Sequence, residues 1–114
     1  MNIMGTIDTS QYKTLYIQAA KSYFNQIDSC VAALRANAND ATALQNLHIA
    51  FHSLKGQNFA MGFTDLANTC LEVEHVCKNA MEKKIPVSPA VLAEIDEALP
   101  ILKKAVTDYE NSPR

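Results

Sequence analysis

Glycine and proline are scarce: three glycines and four prolines interrupt 114 residues. So few breakers leave long stretches free to stay helical, and they exclude a collagen-like or low-complexity chain. Runs that alternate apolar and polar residues are missing, which removes the usual signal for sheet. No strongly apolar run approaches the roughly 20 residues that a membrane-spanning helix needs. The opening Met1-Asn-Ile-Met-Gly-Thr-Ile-Asp8 has no basic region followed by an apolar stretch, so no secretory leader is expected. The formal net charge is −2, and no basic footprint for nucleic acid is present. Neither a glycine-rich phosphate loop nor an acidic cluster suited to magnesium occurs, so no bound cofactor is expected. Cys30, Cys70 and Cys77 are odd in number and form no Cys-x-x-Cys pair. They read as buried free thiols in a reducing compartment, which points to the cytoplasm.

What is present is enough for one folded domain. Hydrophobic residues make up 48% and charged residues 19% of the chain, a balance that supports a core without disulfides or metals. After a loose lead at residues 1–8, Asp8-Thr9-Ser10 offers N-cap candidates. Apolar residues then recur at helical spacing: Tyr12, Tyr16, Ala19, Tyr23, Ile27, Val31 and Leu34. Asn37-Ala-Asn-Asp40 is a turn, with Asp40 able to cap a second helix from about Ala41 to Gln57. Its inward stripe is Leu44, Leu47, Phe51 and Leu54, and Gly62 is the turn glycine that follows it. Thr64 and Asp65 are cap candidates for a third helix reaching about Lys84, with Leu66, Ala67, Cys70, Val73, Cys77 and Met81 inward. Ser88 and Pro89 open a fourth helix lined by Val91, Leu92, Ile95, Leu99, Leu102, Val106 and Tyr109. Pro100 lies inside that helix, where it is expected to kink or split it. Four helices with short loops predict an all-α, antiparallel up-down-up-down bundle over residues 9–110, with residues 111–114 as a tail.

The stretch that speaks of function is His52-Ser-Leu-Lys-Gly56. His52, Lys55 and Gly56 share one helical face. Neutral imidazole is a good nucleophile toward phosphorus, provided its other nitrogen holds the proton. A carboxylate that accepts a bond from that N–H fixes the tautomer. Glu74 is the candidate, because the helical arms from a turn near residue 62 to residues 52 and 74 are about equal. Lys55, one turn on, would offset phosphoryl charge. Gly56 either leaves clearance for a partner or ends the helix.

These residues, followed by Met61-Gly62-Phe63-Thr64-Asp65-Leu66, resemble histidine phosphotransfer (HPt) domains. The chain is most similar to the phosphotransfer domain of chemotaxis-type histidine kinases. The resemblance extends over nearly the whole chain and implies a four-helix bundle in which His52 is phosphorylated. Lys55 is then the phosphoryl-side cation, Gly56 the clearance position, and Glu74 the glutamate that orients the histidine. His48, Gly56, Phe59 and Gly62 are expected on the partner-binding face. The implied partners are a histidine kinase ATP-binding domain and a response-regulator receiver domain, and no autonomous catalysis is expected. Gln57, Asn58 and Phe59 depart from the small residues usual in relatives, and Leu71 stands where many chemotaxis kinases carry a second histidine. Two other readings remain. One is a helical docking module that carries no phosphate, motivated by Gln57, Asn58 and Phe59. The other is a metal site built on His48 and His52 with Glu74, which Lys55 would oppose. His75 is read as a solvated or partly packed residue.

Overall fold

A computed structural model describes residues 9–113, so the lead at residues 1–8, its Asp8 cap candidate and Arg114 lie outside the described residues. Four helices follow in order: α1 Thr9–Ala36, α2 Ala41–Ala60, α3 Thr64–Met81 and α4 Pro89–Glu110. Helix α2 packs on α1 and α3, and α4 closes the ring against both. The architecture is the expected antiparallel bundle.

Helix starts obey the capping chemistry of their sequences. Asp40 accepts a hydrogen bond from the Ala43 N–H, and Ser88 does the same for Val91. The third start differs from expectation. Phe63 is the N-cap of α3 and makes no side-chain cap bond, while Thr64 and Asp65 fall inside the first turn. Asp65 there still meets the positive end of the helix dipole.

Helix α2 runs three residues beyond Gln57, and its end explains why. The Gly62 N–H bonds to the Phe59 carbonyl and the Phe63 N–H to the Asn58 carbonyl, a Schellman closure with Gly62 at φ +79°. Gly62 is therefore required by the backbone itself. Helix α3 closes the same way one turn earlier than expected, at Met81. There Lys83 occupies the left-handed position with φ 60°. A side chain in that region costs about 1–2 kcal/mol. Lys83→Gly is expected to raise stability by up to about 1 kcal/mol, measured by urea unfolding; an unchanged or lower midpoint would show that the turn carries no such strain.

The core takes in nearly all the expected apolar residues, with α1 rotated from the expected stripe. Ile17, Ala20 and Phe24 are buried with Tyr16, Ile27, Val31 and Leu34. Tyr12 is 49% exposed, and Tyr23 and Phe63 are only partly buried against the core. Met81 at the end of α3 is likewise exposed. The rotation reflects α1 packing on two neighbours, which widens the buried stripe beyond one row of side chains. All three cysteines are free and buried.

Helix α4 passes unbroken through Pro100, so the proline does not split it. Both Pro100 and Asp96, whose carbonyl loses its helical partner, lie on the exposed face, where water can satisfy that carbonyl. Along the seam between α1 and α4, three ion pairs recur at heptad spacing: Lys21–Glu110, Asp28–Lys103 and Arg35–Asp96. Charges of alternating sign on α1 face the opposite sequence on α4. Each pair is exposed and contributes little alone. Together they penalise any slip of the two helices, as flanking charges do in coiled coils.

Candidate functional site

The α2–α3 hairpin brings His52 and Glu74 level across its seam. His52 Nδ1 lies 2.9 Å from Glu74 Oε2. An ionised carboxylate only accepts hydrogen bonds, so Nδ1 carries the proton and donates. The His52 side chain is 62% exposed, whereas that of Glu74 is 9% exposed. The ring is thus anchored from below while Nε2, with its lone pair, faces outward.

Glu74 is one of two buried polar or charged residues among the described ones, the other being Asn58. Burial alone would push its carboxyl up. Hydrogen bonds from Lys55 and His52, with the charges of both, outweigh burial and hold it below the ordinary glutamate range. It is therefore ionised at neutral pH.

Lys55 does not stand free beside the imidazole. Its Nζ lies 2.6 Å from Glu74 Oε1 and 3.2 Å from Oε2, and the side chain is 19% exposed. The directed hydrogen bond goes to Oε2; Oε1 receives no well-aligned donor, so the closer approach is a charge contact. Lysine, glutamate and histidine form one chain running from the α2–α3 seam to solvent. The three lie together as the spacing predicts, and the ammonium expected to offset phosphoryl charge contacts the carboxylate here.

The remaining expected residues divide between face and frame. His48, half-buried one turn before His52, stacks beside it with ring centroids 6.4 Å apart and planes 17° apart. Phe59 is 47% exposed and lies seven residues after His52 on the same face. Gly56 is exposed within α2. The helix continues to Ala60, so Gly56 does not terminate it. His75 is exposed. Asn58 belongs to the frame, contrary to its expected place among the residues that alter the partner face. It is fully buried, accepts from the Tyr16 hydroxyl at 2.7 Å and donates to the Leu54 carbonyl at 2.9 Å. Its position was available in the sequence: Leu44, Leu47, Phe51, Leu54 and Asn58 continue one rhythm of three and four.

The model of the Hpt domain family matches residues 16–105. The chain belongs to the Hpt domain family. This Hpt domain is 27% identical over 100 residues to the chemotaxis protein CheA of Bacillus subtilis (strain 168), covering 88% of the chain and 15% of that protein. The chain thus spans a small part of the length of this curated relative. In fold it is similar to the CheA phosphotransferase domain from Thermotoga maritima, with a TM-score of 0.86 and 22% identity. That likeness covers 90% of this chain and 97% of the other. Membership supports the role of a phosphohistidine carrier in a phosphorelay. Among the described residues no helix is long and apolar enough to cross a membrane.

Proposed function

We propose that His52 is the phosphorylated residue, accepting the group on Nε2 from a histidine kinase ATP-binding domain and passing it to an aspartate of a response-regulator receiver. The observation that carries this reading is the Nδ1–Glu74 bond under an exposed ring. Attack forms an Nε2–P bond and breaks the bond from phosphorus to the donor's leaving oxygen, whose electron pair departs with it. The ring then holds its proton on Nδ1, and the positive charge is offset by the Glu74 carboxylate. The kinase contributes nucleotide and metal, the receiver its own aspartate, and residues 9–110 the bundle, working in the cytoplasm. A small helical domain that exposes its nucleophile to an incoming partner suits relay.

The test is direct. Incubation with a CheA-type kinase domain and labelled ATP should place one equivalent of acid-labile, base-stable label on the chain. A receiver domain should then remove it. Acid-stable label, or label on another residue, would overturn the reading.

Gly56 supports a docking face beside the imidazole. A Cβ built there meets nothing within 4 Å, so nothing among the described residues demands a glycine that costs about 1 kcal/mol in a helix. Clearance for an incoming surface is the remaining reason. Gly56→Ala should stabilise the fold by about 0.5–1 kcal/mol. Gly56→Leu should fold equally well yet slow transfer to or from a partner at least about tenfold, the loss of roughly 1.4 kcal/mol at a docked surface. Undiminished transfer by the leucine variant in a rapid-quench assay would remove the docking role.

A further inference from the structure

Resting on that reading, we propose that the phosphoryl group carried by His52 is held by His48, with Lys78 beside it, rather than by Lys55. His48 is then a positioning residue for the phosphorylated state.

The inference starts from where Lys55 is. Both Glu74 oxygens engage its ammonium, at 2.6 Å and 3.2 Å. Turning outward to a phosphoryl oxygen would leave a buried carboxylate with one of its two cationic partners missing, which is unfavourable. The phosphoryl group arrives elsewhere. Glu74 occupies Nδ1, so the new bond is to Nε2, on the solvent edge of the ring.

Side chains on a helix lean toward its N-terminus. The His52 ring therefore lies over the turn that carries His48, and the two rings stack nearly parallel at 6.4 Å. An imidazole N–H at that separation is placed to donate to a phosphoryl oxygen after a small rotation. Across the antiparallel seam, stepping back four residues from His52 to His48 matches stepping forward four from Glu74 to Lys78. Lys78 is exposed and lies at the level of His48. The titratable and charged groups on this face are His48, His52 and Lys55 on α2 and Glu74 and Lys78 on α3, with His75 farther round α3. A dianionic group gains from the donors that are not already spent on Glu74.

The experiment loads the protein with potassium phosphoramidate, a donor too small to need docking, and follows loss of phosphohistidine by phosphorus NMR between pH 6 and 9. Wild type, His48→Phe, His48→Gln and Lys78→Gln are compared. Phenylalanine keeps a flat stacked ring and removes the donor. His48→Phe should lose the phosphoryl group about three- to tenfold faster, the scale of one net hydrogen bond, and His48→Gln, whose amide still donates, should be accelerated less. Lys78→Gln should show a smaller acceleration. Partial retention by His48→Gln but not by His48→Phe marks the lost donor; a purely structural defect would accelerate both variants alike. Phosphohistidine on His52 with equal lifetimes in all four proteins overturns the role of His48 alone. Wild type that takes no phosphoryl group on His52 overturns that role and the phosphoacceptor assignment together.

Discussion

Replacing His52 with glutamine is expected to abolish phosphorylation altogether while leaving the bundle folded. The side chain is 62% exposed, and its one hydrogen bond goes to Glu74, which Lys55 still neutralises in its absence. Glutamine retains an amide donor that can reach the same carboxylate but has no nitrogen lone pair fit for attack on phosphorus. Two readouts separate chemistry from folding. Circular dichroism melts of the variant should stay within a few degrees of wild type. Intact-mass analysis after incubation with kinase and ATP should show the added mass of a phosphoryl group on wild type and none on the variant. Full labelling of His52→Gln would move the phosphoacceptor to another residue.

The second large effect belongs to Glu74. Glu74→Gln is expected to slow phosphorylation about 10- to 100-fold, the scale of losing a partner that fixes histidine orientation and basicity. The neutral amide can present either oxygen or nitrogen to Nδ1, so the tautomer is no longer forced. The same change leaves the largely buried Lys55 ammonium without its counter-charge, at a stability loss of about 1–3 kcal/mol. The pH dependence has a definite sign. The Glu74 carboxyl is held below the ordinary range in the folded protein, burial being outweighed by the hydrogen bonds and charges of Lys55 and His52. A depressed acid contributes stability that is fully present above its unfolded value, about 4.3, and is lost as the pH falls through its folded value. Wild type should therefore lose this contribution below about pH 4.3, and Glu74→Gln should not. Urea midpoints across pH 3–7 measure both. Equal acid sensitivity in the two proteins would mean that Glu74 is not the charged hub of the site.

The bundle was legible because its helices announce themselves twice, by apolar rhythm and by caps. Asp40 and Ser88 cap as read, and Leu44, Leu47, Phe51 and Leu54 are buried as read. Errors gathered where tertiary contact overrides local pattern. Asn58 looked like a polar surface departure because sequence composition cannot show that Tyr16 waits opposite to satisfy it. For Pro100, expected to kink or split its helix, the split does not occur, and periodicity alone does not say which side of a helix can be wetted. Lys55 and Glu74 could be placed on facing helices, but which oxygen or ring an ammonium prefers depends on burial, and burial appears only once the helices are packed. The heptad ladder of Lys21, Asp28 and Arg35 against Asp96, Lys103 and Glu110 was written in the sequence. It becomes visible only when α1 and α4 are known to be neighbours.

The central claim is that His52 presents Nε2 as nucleophile while Glu74 retains the proton on Nδ1. Long-range nitrogen–proton NMR of the 15N-labelled protein, recorded before and after phosphorylation, tests it most directly. The account predicts that the neutral His52 ring is the Nδ1–H tautomer, that Glu74→Gln shifts it toward a mixture, and that phosphorylation moves the Nε2 signal alone among the histidine nitrogens to the phosphoimidazole position. An Nε2–H tautomer in the unmodified protein, or a phosphoryl group appearing on Nδ1 or on another histidine, would contradict it.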